Sequence, residues 1–224
     1  MNKSVLKYIF VLILIPALVI AGALVYPERS YAIVSLAVAL LACVPFFISF
    51  EKTSSTRRLV MLAVMTALSV AGRFIFAPIP FFKPVTAMVV IAGMYFGAEF
   101  GFLTGALSAV ISNFYFGQGA WTPFQMFSWG IIGFIAGILS SQLVRSKIIL
   151  IIYGALAGVV YSLIMDIWTV LWIDGMFNPA RFSAAVITAL PVTLKYVISN
   201  IIFLIILAPL FGKKIERLKQ KYGI

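Results

Sequence analysis

Histidine is absent from the 224-residue sequence, and cysteine occurs only once, at Cys43. Without histidine the chain lacks the commonest proton shuttle and a principal metal ligand, which excludes most familiar catalytic arrangements and metal sites. A single cysteine within an apolar run excludes a disulfide framework inside the chain. We therefore expect no catalytic residue, no bound metal and no cofactor.

Charged residues are also scarce, and the acidic ones are the scarcest. The sequence has 6 Asp and Glu against 17 Lys and Arg, and only 10% of its residues are charged, whereas 63% are hydrophobic. A soluble domain of this length cannot bury so much apolar surface, so the surrounding solvent must be a lipid bilayer. The excess of cations lies in short segments between apolar runs, where it indicates orientation in the membrane rather than nucleic-acid binding.

The apolar runs predict eight transmembrane helices, because one span takes roughly 20 apolar residues. The polar run Glu51–Arg58 separates an N-terminal pair of helices, in residues 1–52, from a six-helix core in residues 53–224. The predicted helices are Tyr8–Val25, Tyr31–Phe50, Leu59–Phe76, Phe81–Phe96, Gly101–Phe116, Pro123–Val144, Ile148–Trp172 and Val186–Phe211, followed by a basic tail. The predicted fold class is an all-α polytopic membrane protein. A cleaved signal peptide is the alternative for the first helix, although its long apolar run favours a retained span.

The distribution of basic residues predicts how these helices are oriented. With eight spans both termini lie on the same side of the membrane, and that side collects most of the lysines and arginines. They are Lys3, Lys7, Lys52, Arg57, Arg58, Arg145, Lys147, Lys213, Lys214, Arg217, Lys219 and Lys221, whereas the other side holds Arg29, Lys83 and Arg181. Because positive charge accumulates in cytoplasmic loops, both termini are predicted to be cytoplasmic.

Three charged residues fall inside predicted helices: Arg73, Asp166 and Lys195. Each costs about 2.5–3.5 kcal/mol at a helix centre, so none is expected to face lipid. The predicted topology places all three in the outer half of the membrane. They form either a structural ion pair of Asp166 with Arg73 or Lys195, or the charged lining of a pocket that opens to the outside.

The stretch Gly101–Leu139 carries a short polar and aromatic turn between two apolar helices, at the same predicted depth. Its amides and indoles offer hydrogen bonds and stacking surfaces without an acidic or basic side chain, which suits holding a molecule better than transforming it. Together with the three charges and a lysine of the preceding proline-rich loop, they make up the predicted substrate-binding set. Its members are Arg73, Lys83, Asn113, Gln118, Trp121, Gln125, Trp129, Asp166 and Lys195.

Small residues recur at every fourth position on the first core helix, at Ala63, Ala67 and Ala71. This spacing puts the three alanines on one helix face, and small side chains allow another helix to approach closely. The row begins at the predicted cytoplasmic end, just after Arg57 and Arg58. It therefore predicts a face on which a partner helix docks.

Three segments resemble the S component, the substrate-binding subunit, of an energy-coupling factor (ECF) vitamin importer. They are the alanine-rich helix AVMTALSVAGR, the loop APIPFFKPVTA and the segment SNFYFGQGAWTPFQMFSWGIIGFIAG, and the resemblance covers about Arg57 to Phe211. It implies a six-helix protein of a prokaryotic plasma membrane that binds a vitamin from outside. It also implies docking, through the AxxxA face, on an ECF transmembrane coupling protein that works with two ATP-binding subunits. The two extra helices in residues 1–52 depart from this pattern.

The identity of the ligand rests on one part of the resemblance. The segment FGQGAWTPFQM is similar to members of the family that are associated with cobalamin or its precursors, which predicts a corrinoid; pantothenate, queuosine and a folate would suit the same side chains. The chain has no P-loop GxxxxGK[ST], so ATP hydrolysis is expected in separate partner chains.

A carrier and an enzyme are the two alternatives to a binding subunit. A stand-alone ion- or proton-coupled carrier is the main alternative, although we find no internal repeat of the kind typical of carriers. An intramembrane enzyme built on Ser112, Ser128 and Asp166 would lack a base, because no histidine is present and no lysine lies beside a serine.

Overall fold

The computed structural model describes residues 55–119 and 121–222, and this part of the chain is a bundle of α-helices without a strand. Its helices are α1 (Thr56–Ile75), α2 (Val85–Phe96), α3 (Ala98–Phe116), α4 (Thr122–Ile138), α5 (Ser140–Arg145), α6 (Lys147–Asp174) and α7 (Pro179–Tyr222). By length and apolar composition α1, α6 and α7 can each cross a membrane, and α2 and α4 are shorter apolar helices. These helices confirm the predicted all-α polytopic class. The two predicted N-terminal helices and Cys43 lie outside the described residues.

The fourth core helix ends earlier than predicted. The predicted helix Pro123–Val144 is divided at Leu139 into α4 and the short α5. The division comes two residues after Gly137, where the corner between α2 and α3 approaches so closely that a Cβ on Gly137 would lie 2.3 Å from the Ala98 Cα. The chain changes direction directly after this contact.

The last helix is longer than predicted at both ends, since it begins at Pro179 rather than Val186 and continues through the predicted tail. At its start, the Asn178 side chain accepts hydrogen bonds from the amides of Ala180 and Arg181 at 3.0 and 3.2 Å. Such a side chain satisfies amides that a helix start leaves without partners, and proline is favoured at the first helical position. At the other end Ile215 is buried in the core, which fixes the tail to the bundle.

The helix directions define two ends of the bundle. The site end holds the α1–α2 loop, the α3–α4 turn and the α6–α7 turn, and the opposite end holds the start of α1, the α2–α3 corner, α5 and the end of α7. α6 and α7 pack as an antiparallel pair that reaches the site end, where Arg181 forms an ion pair with Asp174 at 2.6 Å. Further along the pair, the Asn200 amide donates to the Gly154 carbonyl at 3.1 Å.

Glycines bring α2, α3 and α4 into backbone contact. A Cβ on Gly101 of α3 would lie 2.3 Å from the carbonyl oxygen of Gly133 on α4, and a Cβ on Gly93 of α2 would lie 2.2 Å from the same oxygen. Packing this close is typical of membrane helices. The hydrophobic effect does not drive their association in lipid, so it depends on the close van der Waals contact that small residues allow.

We expect Gly133→Ala to lower the stability of the bundle by about 1–3 kcal/mol, because the added methyl group meets backbone that cannot move aside. Gly154→Ala is the matched control, since its Cβ would meet only the terminal Cδ1 atom of Leu204, at 2.5 Å, which can rotate away. Thermal unfolding in detergent should show a clear loss of midpoint for the first variant and little change for the second. Equal midpoints for the two variants would show that a methyl group against the backbone costs no more than one against a side chain, which would contradict the prediction.

Candidate binding site

A chain of hydrogen bonds at the site end joins four helices through Arg73 of α1, Asn113 of α3, Gln125 of α4 and Tyr161 of α6. The Arg73 guanidinium donates to Asn113 Oδ1 at 2.8 Å, and Asn113 Nδ2 donates to Gln125 Oε1 at 2.8 Å. Gln125 Nε2 then donates to the Tyr161 hydroxyl at 3.2 Å. We call these four residues the polar chain. It brings together three of the predicted substrate-binding residues and one, Tyr161, that was not predicted.

Arg73 is held by neutral groups rather than by a carboxylate. Besides Asn113, its guanidinium donates to the Ser112 hydroxyl. The guanidinium carbon also lies 4.6 Å from the ring centroid of Phe116 and 5.3 Å from that of Trp129. Aromatic faces attract a cation most strongly where water is excluded. These contacts explain how the chain keeps a positive charge at the end of an apolar helix.

The turn between α3 and α4 is folded back on α3 by its own side chains. Asn113 is 1% exposed, and its Nδ2 also donates to the Thr122 hydroxyl at 2.9 Å. That hydroxyl donates to Gln118 Oε1 at 2.9 Å, while Gln118 Nε2 donates to the Val110 carbonyl at 2.8 Å. Asn113 is therefore the buried centre of the turn, and Gln118 is an exposed brace at its edge.

Aromatic rings form a wall beside the polar chain. Trp129 and Tyr161 are stacked, with ring centroids 5.1 Å apart and planes inclined by 21°. Tyr196 of α7 meets Tyr161 edge to face at 5.1 Å. The wall therefore places buried aromatic rings next to amide donors and acceptors.

The other tryptophans form a second cluster nearer the tip of α6. Trp121 lies 6.1 Å from Trp168, which stacks on Trp172 at 6.2 Å between ring centroids. Trp172 is half exposed, as expected for a residue at the membrane interface. The buried Trp168 indole nitrogen has no hydrogen-bond partner among the described residues. Trp121 is thus separated from Trp129, although both were predicted to stack on a ligand.

Lys83 holds the loop between α1 and α2. Its ammonium donates to the carbonyl oxygens of Phe76, Ala77 and Ile79, the last two at 3.1 and 2.9 Å. Burial, and secondarily the nearby Arg73 guanidinium, lowers the pKa of this ammonium. In addition, the backbone of Lys83 exchanges two hydrogen bonds with the Ser199 hydroxyl of α7. Lys83 therefore ties the loop to itself and to the last helix.

Lys195 and Asp166 lie at the site end but outside the polar chain. The Lys195 ammonium lies 5.7 Å from the ring centroid of Phe81, a loop residue with the positive φ of 63° that is uncommon outside glycine. Asp166 is partly buried on α6. Within residues 55–119 and 121–222, no ion pair joins Asp166 to Arg73 or Lys195. The structural ion pair that the sequence left open as one interpretation is thus not formed.

The predicted docking row lines a groove between α1 and α3. Ala63, Ala67 and Ala71 are exposed, and they border a cavity of about 450 Å³ together with Leu107 and Ile111 of α3. The groove ends near Phe74, one residue beyond Arg73. The same helix therefore carries the apolar groove along one face and a member of the polar chain at its end.

Three buried hydroxyls lie on α1 and α3 below the Arg73 contact. The oxygens of Thr66, Ser69 and Ser108 have no hydrogen-bond partner among the described residues. Ser69 is four residues before Arg73, and Ser108 is four residues before Ser112, so each lies one turn below a partner in the Arg73–Ser112 contact. Thr104 and Ser128 behave differently, since their hydroxyls donate to the carbonyls of their own helices at 2.8 and 2.7 Å. We call Thr66, Ser69 and Ser108 the unpaired hydroxyls.

Two site residues escaped the sequence analysis, namely Tyr161 and Tyr196. Each is a single tyrosine within an apolar helix, and nothing in its neighbours distinguishes it from a core aromatic. The signal that could have found them is depth, because both lie at the level of the polar turn in the predicted topology. The serines of the enzyme interpretation donate to main-chain carbonyls, Ser112 to Ser108 and Ser128 to Phe124.

Comparison with protein families agrees with this architecture. Residues 53–217 match the family model described as ECF-type riboflavin transporter, S component. No solved structure matches the chain. The match covers all seven helices except the last residues of α7. The chain therefore belongs to the S components of the ECF-type riboflavin transporter family, and it is a membrane-embedded vitamin-binding subunit of an importer rather than an enzyme.

Proposed function

We propose that this chain captures riboflavin, or a closely related flavin, from outside a prokaryotic cell. It then docks through α1 on an ECF transmembrane coupling protein served by two ATP-binding subunits. The observation that carries the choice of ligand is the polar chain beside the stacked Trp129–Tyr161 pair. The name of the matched family supports the same choice. The earlier expectation of cobalamin gains no such support.

The chemistry of a flavin fits this arrangement of side chains. The isoalloxazine ring is flat and aromatic, so it can stack on the wall formed by Trp129, Tyr161 and Tyr196. Its imide edge alternates carbonyl acceptors with an N–H donor, and the amides of Asn113 and Gln125 offer both kinds of group. When such a ligand binds, the amides of Asn113 and Gln125 would form hydrogen bonds with the ligand in place of their hydrogen bonds within the protein. A corrinoid is several times larger and would need a far wider opening than these four closely linked helices suggest.

The orientation follows from the distribution of charge. Arg145, Lys147 and the basic end of α7 lie at the opposite end, whereas the connecting segments of the site end carry Lys83 in a loop and Arg181 in the first turn of α7. By the positive-inside rule we infer that the binding site faces outward and that the end of α7 is cytoplasmic, and the predicted pair of N-terminal helices would put the N-terminus on the same side. Capture from outside needs this orientation.

A panel of vitamins tests the proposal on the purified full-length protein. Riboflavin is expected to raise the thermal unfolding midpoint, since a ligand that binds only the folded state stabilises it, by about 2.7 kcal/mol at a hundredfold excess over Kd. Its fluorescence should be quenched on binding, because the flavin ring stacks on aromatic side chains. Cobalamin, pantothenate, queuosine and folate serve as controls. Stabilisation by cobalamin alone would reject the flavin assignment, and stabilisation by none of the five would reject the site.

A further inference from the structure

A second cavity lies at the opposite end of the bundle, far from the polar chain. It is formed between α2, α5, α6 and α7 and has a volume of about 300 Å³. Its walls are mostly apolar and include Leu143, Leu150 and Ile205. None of these helices borders the groove between α1 and α3, so the cavity is separate from both the ligand site and the docking row.

Two polar groups interrupt the apolar lining, Lys147 and the hydroxyl of Tyr95. Lys147 is the exposed first residue of α6, and it forms no ion pair or hydrogen bond with another described residue. The Tyr95 hydroxyl, near the end of α2, lies against Gly212 of α7 and interacts electrostatically with the Glu216 carboxylate. The cavity therefore combines apolar walls with one cation, Lys147, that no described acidic side chain pairs.

The position of Lys147 along α6 indicates the depth of its ammonium in the membrane. The apolar residues of α6 begin directly after it, so the ammonium lies where the hydrocarbon gives way to the headgroups. Leu150 lies about one turn further into the membrane, and Ile205 lines the same cavity from α7. Arg145 and Lys213 are exposed at the same end, as is Glu216, but none of the three lines the cavity. An occupant of the cavity thus meets a cation at the headgroup level and apolar side chains below it.

We propose that this cavity binds one anionic phospholipid, with its phosphate on Lys147 and part of an acyl chain between α6 and α7. A free phosphate would leave the apolar walls unused, and an uncharged lipid would leave the ammonium uncompensated. Phosphate is a strong acceptor for the ammonium of Lys147. The site requires no vitamin and no coupling protein.

Photolabelling tests the proposal on the full-length protein in mixed vesicles. A phosphatidylglycerol with a diazirine in one acyl chain is expected to label peptides from residues 143–151 and 204–209, and more strongly than the matching phosphatidylcholine. Ile205→Trp fills the cavity from its exposed side, and Lys147→Gln removes the cation. Lys147→Gln should lower phosphatidylglycerol labelling of these peptides by about fivefold, the effect of one cation near an anionic surface. Ile205→Trp should lower the same labelling because the indole occupies the space of the acyl chain.

Matched controls distinguish a specific lipid-binding site from unspecific attraction of anionic lipid to the basic residues. Ile206→Trp adds the same indole to the neighbouring exposed residue, which does not line the cavity. Lys213→Gln removes a cation from the same end, and both controls should keep wild-type labelling. Equal loss in Lys147→Gln and Lys213→Gln would show unspecific attraction and overturn the proposal. Absence of label from the cavity peptides would also overturn it.

Discussion

Tryptophan in place of Ala67 is expected to reduce vitamin uptake to the background level while leaving the affinity for the vitamin within about twofold. Ala67 lies in the middle of the docking row and is exposed in the groove between α1 and α3. An indole there fills the space into which a partner helix would pack, since close helix contact in membranes depends on small side chains. Arg73, the nearest member of the polar chain, lies six residues further on, about 9 Å along the helix axis. Docking is therefore blocked while the binding site is left intact.

The measurement pairs two assays on the same variant. Uptake of labelled riboflavin is followed in cells that also make the coupling protein and the ATP-binding subunits, and binding is followed by quenching of flavin fluorescence. Leu68→Trp is the matched control, because Leu68 is 41% exposed next to Ala67 but does not line the groove. It should retain uptake. If Ala67→Trp weakened binding as strongly as uptake, the row would belong to the core and the docking proposal would fail.

Asn113→Leu is expected to weaken riboflavin binding by about 100-fold or more. Leucine has nearly the same size but no hydrogen-bonding group, and the site is buried. The change leaves Arg73, Thr122 and Gln125 each without one partner. Those losses within the protein lower its stability. In the proposed complex the flavin also loses the donor and the acceptor of the Asn113 amide, and two buried hydrogen bonds at about 1–3 kcal/mol each correspond to about 100-fold in affinity. The same change should lower the thermal midpoint of the free protein.

A milder variant of the site and a distant control distinguish loss of ligand binding from loss of folding. Gln125→Ala removes one branch of the polar chain, and it is expected to weaken binding by about tenfold. Gln142→Leu makes the same kind of change at an exposed amide of the opposite end and should alter neither binding nor stability. Retention of the coupling protein on purified Asn113→Leu would show that the bundle is still folded. Unchanged riboflavin affinity in both site variants would remove the polar chain from the binding site.

The sequence predicts much of this architecture because a bilayer leaves few alternatives. Backbone groups in hydrocarbon must be satisfied internally, so apolar runs of sufficient length have to be helices. A cation in such a helix must face protein, which is why Arg73 could be placed beside the polar turn before any contact was known. Within the turn, Asn113 and Gln125 are also hydrogen-bonded to each other.

Other features depend on contacts that no local pattern contains. The division of the predicted Pro123–Val144 helix reflects the approach of Ala98 to Gly137, two residues far apart in the sequence. Lys83 was predicted to bind substrate, and its ammonium is hydrogen-bonded to carbonyl oxygens of its own loop. The ligand could not be chosen from residue types, because amides and indoles suit many vitamins equally well. The proposal of a flavin depends on the family match and on the arrangement of these groups around the Trp129–Tyr161 pair.

The unpaired hydroxyls weaken the contact between α1 and α3. Each buried hydroxyl without a partner costs about 1–3 kcal/mol, so the contact between α1 and α3 lies in a shallower energy minimum than a contact whose hydroxyls are all satisfied. A helix in a shallow minimum exchanges one set of neighbours for another at a low activation barrier. If α1 docks on a coupling protein as proposed, imperfect packing at Thr66, Ser69 and Ser108 favours rapid exchange of its neighbours over a tightly held arrangement.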